Sequence, residues 1–196
     1  MILGITGAIG SGKSLISDYF FRRGWRVFNA DGVCRSLRQS PDPAMMEQIR
    51  RDFGCMLLDD AGKLDRAKIA DAVFGDTEAM KKWLAILYPA LDAALEKEIR
   101  LCRKTGQNGA FEIPLLFENH YETKFNATMA VWAGRALRHS RLREKRHLDE
   151  KEIFRREALQ MPEEKKLELA DYAVINTASV AFAETQLEMF ESHINL

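Results

Sequence analysis

The strongest constraint on this chain is an eight-residue stretch near its start, Gly7-Ala8-Ile9-Gly10-Ser11-Gly12-Lys13-Ser14, which satisfies the spacing G-x-x-x-x-G-K-[ST] in full. An apolar, strand-like run from Ile2 to Thr6 comes directly before it. A helical pattern carrying Leu15, Ile16, Tyr19 and Phe20 on one side comes directly after it. Strand, glycine-rich loop and helix in that order make a phosphate-binding turn. The glycines let backbone N–H groups wrap a phosphate, with dihedrals and close approaches that a Cβ would block. The following helix N-terminus adds its positive end. In such a turn Lys13 reaches the β- and γ-phosphates, and the Ser14 hydroxyl ligates Mg²⁺. Gly7, Ala8, Ile9, Gly10, Ser11, Gly12, Lys13, Ser14 and the adjoining Leu15 are thus the expected residues for binding a nucleoside triphosphate. A GTPase would also need a base-recognition motif of the N-K-x-D type, and the sequence has none. Asp59-Asp60-Ala61-Gly62 contains D-x-x-G, but it lies in a polar stretch and reads as a turn.

Short strand-like runs recur along the chain, at Ile2 to Thr6, Arg26 to Asn29, Ala110 to Ile113, Thr128 to Trp132 and Tyr172 to Ile175. Longer segments of helical period separate them. That alternation implies an α/β fold, a five-stranded parallel sheet flanked by helices in three layers. The second and third strands are too far apart for one crossover helix, so a helical insert is expected over about 41–105. The core then covers about 1–40, 106–134 and 171–196, and a second, arginine-rich helical segment of about 135–170 reads as a lid. Within the insert Met80, Trp83, Leu84 and Leu87 mark one apolar face. Leu91, Ala94, Leu95, Ile99 and Cys102 mark another after a break at Pro89.

With 196 residues the chain makes one domain and buries roughly 70% of its unfolded surface, so it needs no staple to fold. The 29 Lys and Arg balance the 29 Asp and Glu, which removes a global basic field for nucleic acid or an anionic membrane. Cys34, Cys55 and Cys102 are odd in number and in no Cys-x-x-Cys pair, so they read as reduced core residues. The four histidines show no metal-ligand spacing. No run approaches a membrane span, and the start lacks a basic leader, so a soluble cytoplasmic protein is expected.

Asp31 stands just past the second strand, at the sheet edge where parallel sheets bind ligands. A carboxylate there can take the proton of an acceptor hydroxyl; it can equally cap the helix that follows. Between Arg135 and Arg156 the chain concentrates nine Lys and Arg residues. Helical spacing puts Arg138, Arg141 and Lys145 on adjoining turns, so a subset can close over a triphosphate while the rest face water.

Taken together, the chain resembles the dephospho-CoA kinase family over nearly its whole length. The likeness rests on Leu3 to Ser14, on Asn29-Ala30-Asp31 against a D-A-D pattern, and on Ile113-Pro114-Leu115-Leu116-Phe117-Glu118 against V-P-L-L-F-E. Gln160 to Lys166 and Ala170 to Asn176 are similar to its Q-M-P-x-E-x-K and A-D-Y-V-I-D-N. The resemblance implies an ATP- and Mg²⁺-dependent kinase that phosphorylates the ribose 3′-hydroxyl of dephospho-CoA. It implies Asp31 as catalytic base, acting with Lys13 and Arg141, and Asn176 on the adenine side. Asp31, Tyr88, Pro89, Pro114, Leu115, Leu116, Phe117 and Glu118 would face the acceptor. The chain departs from the family at Asn29 for the first Asp, Leu15 for Thr, Tyr88-Pro89 for His-Pro and Lys145-Arg146 for Arg-Asp. These departures imply slower turnover or an altered pH dependence. Another small-molecule kinase of the same fold, and an ATP-binding interaction protein without transfer activity, are the alternatives.

Overall fold

The computed structural model describes residues 1–74 and 76–194. Among them, the strands β1 (Ile2–Thr6), β2 (Arg26–Asn29), β3 (Gly109–Glu112), β4 (Ala127–Trp132) and β5 (Tyr172–Ile175) form one parallel sheet in the order β2-β3-β1-β4-β5. Their residues are the expected ones to within one position. β3 starts at Gly109, which pairs with both Ile2 and Arg26, and closes at Glu112. Every residue of β1 and β3 is buried, as central parallel strands require.

The helices are α1 (Lys13–Arg22), α2 (Ala30–Gln39), α3 (Pro43–Phe53), α4 (Arg66–Phe74), α5 (Thr77–Thr105), α6 (Arg135–Arg146), α7 (Glu150–Glu157), α8 (Glu163–Leu169) and α9 (Val180–Ile194). The chain divides into two compact units, one of Met1–Asn29 with Ile99–Leu196, the other of Ala30–Glu98. In the first, Leu3, Ile5, Ile16, Phe20, Val131 and Leu187 are the centre of the core. Each such buried side chain contributes about 1.5–3 kcal/mol. β1 is central, so this core grips the strand that delivers the glycine loop.

The second unit has its own core, built on Met45, Ile49, Phe53, Leu57, Trp83 and Leu87. Local signals set its helix ends. Asp42 accepts a hydrogen bond from Met45 N at 2.8 Å, Pro43 takes the first helical position of α3, and Gly54 follows its last. Asp59 accepts from Ala61 N and Lys63 N, which closes the Asp59-to-Gly62 segment as a tight turn.

Two expectations are corrected. α5 runs unbroken through Pro89 from Thr77 to Thr105. Trp83, Leu87, Leu91, Leu95, Ile99 and Cys102 are all buried, one stripe at helical spacing on both sides of the proline. Burial of that stripe outweighs the bond that Pro89 cannot donate, a cost of about 3 kcal/mol. None of the three cysteines is in a disulfide, and Cys102 alone of them is buried. Cys55 is exposed in the turn after Gly54, and Cys34 is half-buried, with burial pushing its thiol up to about 11.

Candidate active site

β1 ends at Thr6 and the chain enters the loop at once. Gly12 adopts φ +95°, and a Cβ there would fall 2.1 Å from Asn176 Nδ2. At Gly7 a Cβ would fall 2.5 Å from the Val131 carbonyl oxygen. The motif's glycines are thus demanded by the packing of the loop onto β4 and the β5 end, as well as by its dihedrals. Lys13 opens α1 and is buried. Its Nζ donates to the Gly7 and Ala8 carbonyls at 2.9 and 3.1 Å, folded back along the loop it belongs to.

Ser14 follows on the exposed side of α1. Its Oγ lies 3.4 Å from Glu112 Oε1, while Ser17 Oγ and Asn29 Nδ2 donate to Glu112 Oε2 at 3.1 and 2.8 Å. Glu112, a buried carboxylate at the C-terminal end of β3, was not among the sequence candidates. The signal was present: a lone charge inside the apolar run Ala110 to Ile113 contradicts burial unless donors converge on it.

The segment from α6 to α8 holds the apex of the loop. Ile9 N donates to Gln160 Oε1 at 2.8 Å, and Arg138 Nη1 donates to the Ile9 carbonyl at 3.1 Å. Arg138 also binds Glu157 at 2.7 Å and Glu163 at 3.2 Å, and is 5% exposed. Burial by itself raises Glu157, but hydrogen bonds and charge from Arg138 and His139 outweigh it and hold that carboxyl below its ordinary range. Arg138 therefore braces the loop. Three acceptors already claim its guanidinium.

Arg141 is the arginine that faces the loop with fewer commitments. Its Nη2 donates to the Asn176 carbonyl at 2.9 Å, with Nη1 3.4 Å from the Ser11 carbonyl. Asn176, buried just past β5, sends Nδ2 to the same Ser11 carbonyl at 2.8 Å. Asn176→Ala is expected to cost about 1–2 kcal/mol, because the Ser11 oxygen loses its shorter bond. A chemical denaturation curve checks this, and an unchanged midpoint would show that the amide contributes nothing to loop stability.

Among the remaining candidates, Leu116 and Phe117 are buried within the protein, whereas Pro114, Leu115 and Glu118 are half-buried in the turn after β3. Lys166, wholly buried on α8, donates to the Pro114 carbonyl at 2.6 Å and lies 2.8 Å from Glu118 Oε1. Burial pulls Lys166 below its usual range, opposed by Glu118. Glu118 also accepts from Met161 N at 2.7 Å. Gln160 and Lys166, quoted above for their likeness alone, thus tie the α6-to-α8 segment to the loop apex and to the 114–118 turn.

Asp31, Tyr88 and Pro89 belong to the other compact unit. Asp31 lies in the first turn of α2, inside the helix that begins at Ala30, and is exposed. Tyr88 is half-buried and Pro89 exposed on α5.

A parallel sheet whose central strand feeds a Lys- and Ser-bearing glycine loop, braced by an arginine-bearing helical segment, defines a P-loop kinase fold. Shikimate kinase from Acinetobacter baumannii has the same fold, at 10% identity and a TM-score of 0.52 over 99% of this chain and 93% of that one. Within that class the chain belongs to the dephospho-CoA kinase family, whose family model matches residues 1–181. Dephospho-CoA kinases from Syntrophotalea carbinolica and Shouchella clausii are 32% and 34% identical to it. The matches cover 95% and 91% of this chain, and 89% and 91% of those proteins. The crystal structure of TT1252 from Thermus thermophilus superposes with a TM-score of 0.83 at 33% identity, covering 98% of this chain and 97% of that one. The chain is therefore an ATP-using phosphotransferase with an alcohol group as acceptor, acting in the last step of coenzyme A biosynthesis. Among the described residues no helix is long and apolar enough to cross a membrane.

Proposed function

We propose that Lys13, Ser14, Asp31 and Arg141 carry the transfer of the γ-phosphoryl group of ATP to the ribose 3′-hydroxyl of dephospho-CoA. The observation that carries this reading is the built loop, with the Lys13 ammonium buried against its carbonyls and the Ser14 hydroxyl facing outward beside a buried carboxylate. In the transfer, the bond from the γ-phosphorus to the β,γ-bridging oxygen breaks as a bond to the 3′-oxygen forms, and ADP leaves. Lys13 exchanges its carbonyl partners for phosphate oxygens and meets the charge that spreads over them. Asp31 takes the proton released by the 3′-hydroxyl.

The oxygen donors at Ser14 fit Mg²⁺, a hard cation that keeps several waters and is bound with substrate phosphates. Ser14 would hold it, and the bound ion would neutralise charge on the β- and γ-phosphates. On the acceptor side we assign Tyr88 and Pro89 of one unit, and the 114–118 turn of the other, to recognition of dephospho-CoA. Tyr88 stands where the family has His, so that position carries no cation at acidic pH.

A coupled assay of ADP release with dephospho-CoA, AMP, adenosine and no acceptor tests the reading. Turnover should be fastest with dephospho-CoA and near background without acceptor. Equal rates with AMP would assign another small-molecule kinase, and ATP binding without any transfer would leave an interaction protein. Arg141→Ala should raise the ATP requirement and slow transfer, leaving binding of dephospho-CoA alone nearly unchanged. Arg143, paired at the surface with Glu150, is the control, and Arg143→Ala should do much less. Equal effects in ATP titrations would point to a general positive field instead of a directed contact.

A further inference from the structure

Lys166 is wholly buried, and its ammonium is shared among segments far apart in the chain. It donates to the Pro114 carbonyl at 2.6 Å, to Glu118 Oε2 at 3.1 Å and to the Thr6 hydroxyl at 3.4 Å, with Glu118 Oε1 2.8 Å away. Thr6 Oγ1 in turn donates to the same Pro114 carbonyl at 3.2 Å. Thr6 is the last residue of β1, and Gly7, whose carbonyl accepts from Lys13, comes next. One buried cation therefore joins the entry of the glycine loop to both ends of the 114–118 turn.

The stretch that carries Lys166 grips loop and turn a second time. Gln160 Oε1 accepts from Ile9 N at the loop apex at 2.8 Å, and the adjoining Met161 N donates to Glu118 Oε1 at 2.7 Å. Neighbouring residues thus hold the glycine loop with one hydrogen bond and the turn with the next. A buried ion pair is weak evidence for stability, since apolar side chains of similar volume often do as well or better. What it adds is direction. An ammonium with three acceptors, facing a carboxylate that also takes a backbone N–H, admits one placement of the turn, whereas apolar contact tolerates sliding.

We propose that Lys166 and Glu118 are positioning residues for the phosphoryl transfer, holding the 114–118 turn in one register against the glycine loop so that the acceptor hydroxyl meets the γ-phosphoryl group in line. This rests on the reading of that turn as part of the acceptor site. Glu118 then serves recognition of dephospho-CoA by fixing the turn, with its carboxylate spent on Lys166 and Met161. A displacement of about 1 Å between reacting groups costs roughly 10²-fold in rate, which sets the size of the expected effect.

The test compares wild type, Lys166→Met, Glu118→Leu and the double variant. It measures steady-state transfer to dephospho-CoA, ADP release without acceptor, ATP binding by calorimetry, and thermal melting. Each single variant strands one half of the ion pair, so it should melt early and transfer about 10²-fold more slowly. The double variant carries neither charge. Its melting temperature should return toward wild type while transfer stays about 10²-fold slow, with ATP affinity and acceptor-free ADP release unchanged. Lys165→Ala, which breaks only a surface pair with Glu168 on the same helix, should match wild type throughout. Transfer that recovers together with melting in the double variant gives the pair a purely structural role and overturns the proposal. A loss of ATP affinity large enough to account for the slow transfer overturns it too. Glu118→Leu decides the matter even if Lys166→Met and the double variant do not fold, because the Glu118 side chain is 18% exposed and the Lys166 ammonium keeps Pro114 and Thr6. Near-normal transfer by Glu118→Leu overturns the proposal. Leu115→Ala checks the turn independently and should raise the KM for dephospho-CoA about tenfold or more. An unchanged KM removes the acceptor reading of the turn and this inference with it, whereas a raised KM beside normal transfer by the double variant removes the Lys166 and Glu118 role alone.

Discussion

Lys13→Ala is expected to leave a folded protein whose turnover with ATP and dephospho-CoA falls by roughly 10³-fold, because a donor aimed at developing charge is lost from an enclosed site. The structure adds a stability component. Lys13 is 8% exposed and its ammonium bonds the Gly7 and Ala8 carbonyls, so truncation strips two loop carbonyls of a charged donor. Charge-assisted bonds of this kind contribute about 1.5–3 kcal/mol each, and for a chain of about 200 residues that is a drop of several degrees in melting temperature. Melting and turnover therefore have to be measured on the same preparation. A variant that melts a few degrees early and turns over at a near-normal rate would remove the phosphate-binding assignment of the loop.

Asp31→Asn should lower turnover by roughly 10²-fold or more, the usual scale of a general base, with ATP affinity and melting temperature nearly unchanged. The substitution preserves size and removes the charge alone. Asp31 lies within the first turn of α2 and is exposed, so its stabilising part is limited to the helix dipole, at most about 1 kcal/mol. Full activity of Asp31→Asn with dephospho-CoA would remove the proton-accepting role and leave Lys13 and the metal to carry the transfer by position and charge.

Lys13 and Asp31 stand out as candidates in the sequence for different reasons. Lys13 belongs to a contiguous motif whose spacing encodes its own geometry. Asp31 follows a strand in a parallel pattern, and the ends of such strands are where ligands bind. Glu112 could have been inferred from its charge in a buried run, but its partners could not, since Ser14, Ser17 and Asn29 reach it from α1 and β2. Arg138 and Arg141 look alike on paper, three residues apart in a basic segment. One is enclosed by Glu157, Glu163 and the Ile9 carbonyl, and the other lies beside Ser11 and Asn176.

Periodicity and local chemistry are properties of neighbours along the chain, which is why the strands, the glycine loop, the helical insert and the arginine-rich segment could all be read without coordinates. The path of α5 through Pro89 depended on a comparison that no local pattern contains, one missing backbone bond against a stripe of burial from Trp83 to Cys102. The strand order β2-β3-β1-β4-β5 belongs to the same kind. It sets Glu112 between Ile5 and Asn29, and with that the carboxylate beside Ser14. Tertiary structure alone decided which charges are spent on holding the loop and which face outward, because a buried ion is defined by its partners, and those come from segments distant in sequence.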